Sequence, residues 1–329
     1  MPTRASARRR SAAGPLLFLL LAAALVVGVV VVVDRGVGPL LGPEGCQVRA
    51  GGTEWDLTTE QAENATIISA VAVRRGLPAR AASIALATAY QESKLRNLDH
   101  GDRDSVGLFQ QRPSQGWGTV EQIRRPVYAV TQFYDALQQV DGYRTMRITE
   151  AAQRVQRSGY PEAYQDHAED GRALASALTG NSPAGFSCVV RAAQDLPAQE
   201  EGANGLTPRA DKVRREVRRL FGDVPTGGFA AGGVSTGHMK GSAHYDGRAV
   251  DVFVRPVGAA NRRTGWAIAS YLVAHASRLH VDHVIFDGRI WSAARSRQGW
   301  RDYDPGDRSG DRAVLEHRDH VHVDVQSGG

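Results

Sequence analysis

Two stretches decide how this chain reads: Ser242-Ala243-His244-Tyr245-Asp246-Gly247-Arg248-Ala249-Val250-Asp251 and Glu316-His317-Arg318-Asp319-His320-Val321-His322-Val323-Asp324-Val325. The second alternates strictly. His320, His322 and Asp324 fall on one side of an extended chain and Val321, Val323 and Val325 on the other, the pattern of a β-strand with one apolar face. The first stretch runs into a similar strand, with Val250, Val252 and Val254 opposite Ala249, Asp251 and Phe253. Two strands that each offer His or Asp on one face can assemble two imidazoles and a carboxylate with a fourth position open. That is the donor set of a catalytic zinc. Without a partner, an aspartate inside an apolar strand would cost on the order of several kcal/mol.

The rest of the chain supplies context. Its 329 residues are enough for two domains. Residues 16–33 carry no polar side chain, and as a helix they would span roughly 27 Å, a bilayer's hydrocarbon thickness. Arg4, Arg8, Arg9 and Arg10 precede them, so the expected topology is a cytoplasmic tail over 1–15, a single-pass anchor over 16–33, and an extracytoplasmic remainder at the cell membrane. A cleaved signal peptide is the alternative, although Asp34-Arg35 directly after the apolar run offers no small-x-small site. The net charge of +5 falls to 5 − 4 = +1 without those four arginines, which gives no reason to expect a nucleic-acid partner. Only Cys46 and Cys188 occur. In an exported protein an even count points to a disulfide, here closing the ends of the first folded segment, with two free thiols as the alternative.

Residues 34–56, rich in glycine and proline, read as a stalk. From 57 to 178 the periodicity is helical: an apolar stripe at Ile67, Ala70 and Val71, an alanine-rich stretch over 81–90, and Val127, Val130, Phe133, Tyr134 and Leu137 behind Pro126. The expectation is an all-α domain over 57–188, then a linker over 189–208 with no sustained period. An α+β domain follows over 209–329, with helices near 209–220 and 262–279 and strands at 281–286, 289–291 and 320–325.

At the end of the alanine-rich helix stands Gln91-Glu92-Ser93, and thirteen residues after Glu92 begins Ser105-Val106-Gly107-Leu108-Phe109-Gln110-Gln111. A carboxyl at the end of a buried helix is suited to act as a general acid, which glycosidic cleavage needs. Glu-Ser followed by Ser-x-Gly-Leu-Phe-Gln resembles the signature of the lysozyme-like lytic transglycosylases, which cut the glycan strands of peptidoglycan. The resemblance covers about 57–180 and implies that Glu92 is the catalytic acid and base, with Ser105 and Gln110 in the sugar cleft. Where that family has an Ala-Tyr-Asn segment, this chain has Tyr160-Pro161-Glu162-Ala163-Tyr164, and Tyr160 takes the sugar-binding tyrosine's place. One acid suffices in that family because a substrate hydroxyl attacks intramolecularly. Asp99, Asp102 and Asp104 stay open as a water-activating second carboxylate.

Ser-x-His, then Asp, then His-x-His resembles the zinc peptidase superfamily of D-Ala-D-Ala carboxypeptidases and murein endopeptidases, and the first strand is similar to that of hedgehog domains, which share the fold. The resemblance covers about 209–325. It implies zinc on His244, Asp251 and His322, with the base that activates water among Glu316, Asp319 and His320. The combined expectation is a membrane-anchored, two-domain peptidoglycan hydrolase, with a lysozyme-like domain cutting glycan and a zinc domain cutting stem peptides. Its rivals are a non-catalytic wall-binding scaffold with a structural zinc and a zinc-dependent signalling module. Nothing in the sequence sets an oligomeric state.

Overall fold

A glycine pair shapes the first described segment of the chain. The computed structural model describes residues 44–328, so the expected tail over 1–15, the anchor over 16–33 and most of the stalk lie outside the described residues. Among the described residues no helix is long and apolar enough to cross a membrane. The stalk reading is corrected where the structure begins. Strands β1 (Gly45–Ala50) and β2 (Thr53–Leu57) form a hairpin, and β3 (Phe186–Val189) pairs with the other edge of β1 in the order β2-β1-β3. Gly51 and Gly52, at φ 61° and 83°, make the tight turn between them, a conformation that favours glycine. Cys46, Val48 and Ala50 alternate inward along β1, a period-2 signal that the surrounding glycines and prolines obscured.

The N-terminal half is therefore not wholly helical. Its helices are α1 (Thr59–Arg74), α2 (Ala79–Ser93), α3 (Pro126–Gln138), α4 (Ile148–Gln156) and α5 (Ala168–Leu178). Thr58 caps α1 reciprocally with Gln61, satisfying two otherwise free backbone donors. Small alanines along α2 bury it almost completely, and the chain leaves it through Lys94 in the left-handed conformation, directly after Glu92 and Ser93.

Beyond β3 no regular element occurs until α6 (Pro208–Phe221), yet the expected linker is pinned to its surroundings. Buried Arg209 donates to the carbonyls of Pro197 and Gln326, and Ala193 N–H donates to Gln326 Oε1 at 3.0 Å. Helix α7 (Ala259–Ala274) lies across a six-stranded sheet of order β4-β5-β9-β6-β7-β8. Its strands are β4 (Thr226–Gly227), β5 (Ala249–Phe253), β6 (Val281–Phe286), β7 (Arg289–Ser292), β8 (Arg301–Asp302) and β9 (His320–Val325), all pairing antiparallel.

The two halves share one hydrophobic core. Helix α1 packs on α7, and the seam carries polar links: Thr66 Oγ1 to His275 Nε2 at 3.3 Å, Trp291 Nε1–H to the Cys188 carbonyl at 3.2 Å and Trp300 Nε1–H to the Phe186 carbonyl at 2.8 Å. The register of β1 against β3 sets Cys46 opposite Cys188, and the two form a disulfide. It closes a loop with a sequence separation of 142, for which chain entropy in the unfolded state suggests stabilisation of up to about 5 kcal/mol. Thiol titration of denatured, unreduced protein should find no free thiol, and reduction should shift the denaturation midpoint markedly lower. Two titratable thiols, or a midpoint indifferent to reductant, would contradict this pairing.

Candidate functional site

Register brings the polar groups of the sheet together. Strand β9 sits between β5 and β6, with Asp251 of β5 opposite His322, Phe253 opposite His320 and Ile285 of β6 on the other side of His322. Valines 250, 252, 321 and 323 fill the apolar face. His244 arrives from a single 3-10 turn, Ala243–Asp246, which Ser242 caps by accepting the His244 N–H and which Gly247 ends with a positive φ. The Ser-x-His and Asp-Gly portions of the first stretch are thus a capped turn that delivers one imidazole to the mouth of β5.

Three donor atoms converge. His244 Nε2 and His322 Nδ1 are 3.1 Å apart, His322 Nδ1 is 3.1 Å from Asp251 Oδ1, and His244 Nε2 is 3.3 Å from that same oxygen. Tetrahedral zinc with bonds of about 2.0–2.1 Å has ligand–ligand edges of about 3.3 Å, so the triangle has the size of one tetrahedral face. His244 Nδ1 lies 2.7 Å from the Gly228 carbonyl. A carbonyl only accepts, so Nδ1 carries the proton and the Nε2 lone pair faces the triangle. Burial opposes charge on His322, but hydrogen bonds to Asp251 and Asp324 override it and push that imidazole up to about 10. Burial also works against ionised Asp251, yet hydrogen bonds to His244 and His322 hold it well below the usual carboxylate range. The imidazole and carboxylate donors of this cluster are of a kind and spacing that could hold a divalent metal.

His320 adjoins the triangle, with Nε2 3.7 Å from Asp251 Oδ1. Its Nδ1 is 2.7 Å from Asp319 Oδ1, and Arg255 Nε holds the other Asp319 oxygen at 2.7 Å. Glu316 is not brought in: its two oxygens are taken by Arg312 at 2.7 Å and Arg318 at 2.6 Å at the end of the short helix Arg312–Leu315. His317 does line the cleft. Burial, then the neighbouring His320 and His322, push it down to about 3, so it stands neutral. The cleft, about 380 Å³, is also lined by Lys240, Ile285, Tyr303, Arg308 and Leu315.

Sequence reasoning missed His238, whose ring stacks on that of His244 at 3.8 Å and 21°. Its donor atom lies within 4.8 Å of those of His244 and Asp251. Imidazole binds metals in its own ring plane, so a cation in the plane of His244 would sit well out of the plane of a ring stacked on it. His322 is therefore the better third donor. The one sequence signal for His238 was its place in a glycine-rich loop close before His244.

In the N-terminal half, Glu92 Oε1 accepts the Tyr164 hydroxyl at 2.6 Å. Tyr164 is buried, whereas Tyr160, four residues earlier, is 81% exposed; the tyrosine that meets the acid is Tyr164. Ser93 Oγ bonds the Leu108 carbonyl at 2.8 Å and ties the loop of Ser105 and Gln110 to the helix end. Ser105 Oγ donates to Gln110 Oε1 at 3.0 Å and Gln110 Nε2 to the His100 carbonyl at 3.2 Å, so the two candidates brace each other. Asp104 accepts from Ser114 and Arg112, which hold it far below the usual carboxylate range, Asp99 pairs with His100, and Asp102 is exposed.

Set against known proteins, the chain is similar over residues 202–314 to a family described as VldE, C-terminal domain. That stretch takes in His238, His244 and Asp251 and ends before His317, His320 and His322. No curated protein matches the sequence.

Gly228 tests the geometry. A Cβ there would lie 2.3 Å from His244 Cε1 and 2.9 Å from Asp251 Oδ2, at a φ of +80°. Gly228→Ala should displace His244 and weaken the affinity of the donor triangle for added zinc, used as a probe, by at least about tenfold, the scale of losing an orienting contact. Competition against a chromophoric chelator measures this, and wild-type affinity in the variant would show that the turn does not set the ligand.

Proposed function

We propose that the chain is a peptidoglycan hydrolase with two sites on one body, a zinc amidohydrolase centre at His244, Asp251 and His322 and a glycan-cleaving acid at Glu92. The convergence of three donors within 3.1–3.3 Å beside an open cleft carries the reading. Structural zinc sites are closed by four protein ligands, so three donors at a cleft favour catalysis over the scaffold alternative. Zinc held there would lower the pKa of a water and polarise an amide carbonyl. The chain's own work falls to His320. Its Nδ1–H donates to Asp319, which leaves the Nε2 lone pair facing the centre to take a proton from the attacking water and return it to the departing nitrogen. Asp319, held by Arg255, fixes that tautomer. Glu316, bound between two arginines, is left out of the proton path.

At the second site the Tyr164 hydroxyl occupies Glu92 Oε1, so the acid proton belongs on Oε2. Asp99 and Asp104 are each engaged by local partners, which favours the intramolecular route with a single acid over a second carboxylate that activates water.

Digestion of purified peptidoglycan by the full chain, with fragments identified by mass spectrometry, tests both sites. Glu92→Gln should cut glycan release by at least about 100-fold and leave peptide cleavage intact. A chelator, or His320→Gln, should do the reverse, while Glu316→Gln should keep most peptide cleavage. Anhydro-sugar ends are expected. Intact peptides after digestion by zinc-loaded wild type would sink the amidohydrolase assignment, and unchanged glycan release by Glu92→Gln would sink the other.

A further inference from the structure

Asp324 is buried on the far side of His322 and has no role in the mechanism above. Its Oδ1 accepts the backbone N–H of His283 at 3.1 Å and lies 3.0 Å from His283 Nδ1, while its Oδ2 lies 3.4 Å from His322 Nε2. The other nitrogen of His322 faces His244 and Asp251. A neutral imidazole has one N–H and one lone pair, and a carboxylate only accepts. Each nitrogen of His322 faces a carboxylate, Nδ1 that of Asp251 at 3.1 Å and Nε2 that of Asp324 at 3.4 Å. With a cation on Asp251, Asp324 is the acceptor that holds the one proton at Nε2 and leaves the Nδ1 lone pair to the donor triangle.

We propose that Asp324, locked by His283, is the positioning residue that presents His322 Nδ1 to the metal. The proposal rests on the metal reading of the cluster and adds the device that sets the ligand's tautomer.

The backbone donor makes the idea unusually testable, because the His283 N–H cannot turn away. Asp324→Asn replaces one carboxylate oxygen with an NH2. If the amide oxygen keeps facing the His283 N–H, the NH2 meets His322 Nε2 and donates to it, which drives the proton to Nδ1 and removes the metal's lone pair. The flipped amide sets NH2 against the backbone N–H, two donors face to face. Asp324→Ala imposes neither conflict, and His322 can keep its Nε2 proton on water. Tautomer control thus ranks Asn below Ala. A packing role ranks them the other way, because Asn fills the space and Ala leaves a void.

Zinc affinity of the full chain, by competition with a chromophoric chelator and with folding checked by thermal melts, decides the matter. One zinc per wild-type chain is expected, with binding weakened about 100-fold in Asp324→Asn and about tenfold in Asp324→Ala. Asn as tight as wild type, or milder than Ala, overturns the proposal. Should the Asn variant not fold, His283→Ala, which frees Asp324 from its ring partner, is expected to cost about tenfold, and unchanged affinity there overturns it equally. Two zincs in wild type with one lost on mutating Asp324 would make Asp324 a ligand of a second cation with Asp282 and His283, whose donor atoms also lie within 4.8 Å of one another, and would refute the positioning role. A wild type that binds no zinc would defeat the metal reading itself, a result distinct from all of these.

Discussion

The antiparallel pairing of β5 with β9 is the constraint on which the His/Asp cluster depends. It sets Asp251 across from His322 and Phe253 across from His320. Because side chains alternate with a period of two, a slip of one residue would carry every imidazole to the helix-covered face and every valine into the cleft. Register is secured from both sides of β9: β5 lies along one edge and β6 along the other, and the valine face is sealed from solvent. Hydrophobic burial on one face thus pays for the polar crowding on the other. A buried carboxylate with two imidazoles on it is tolerable only where hydrogen bonds and charge partners are held in place, which the fixed register of the sheet provides.

The same economy governs the whole described chain. Helix α1 of the N-terminal half and α7 of the C-terminal half pack in one core, and the segment between β3 and α6 is fastened by Arg209 and Gln326. The disulfide belongs to this seam as much as to the small sheet, since the Cys188 carbonyl accepts from Trp291 of β7. Glu92 and the His/Asp cluster therefore sit on one body with a shared core; under the proposed reading both would meet one polymer from constant positions. Tethering of two binding sites raises effective concentration most when the link cannot sample useless geometries.

The protein resolves the reactive groups by giving each competing polar residue a local partner. Arg312 and Arg318 bind Glu316, Arg112 and Ser114 bind Asp104, and Arg255 binds Asp319. The first two pairings give candidate bases and acids that composition alone left open a local partner. The third steadies the carboxylate that orients His320.

Strict alternation over 320–325 and the helical stripes of 126–138 and 208–221 were legible because burial of one face imposes a period that residue types must follow. The aspartate inside the apolar strand over 249–253 was legible for the same reason, and with the Ser-x-His and His-x-His spacings it marked His244, Asp251 and His322; the capped turn that carries His244 was not. The β1–β2 hairpin was not either, since strands of six and five residues around Gly51-Gly52 have too few alternations to stand out from a glycine-rich stretch. Nor could sequence separate Tyr164 from Tyr160 or find His238, because each depends on which side chain another segment places within 3 to 4 Å. Local periodicity determined the elements and the donor types. Only tertiary packing decided which lone pairs meet, because hydrogen-bond direction is set by neighbours that are distant in the chain.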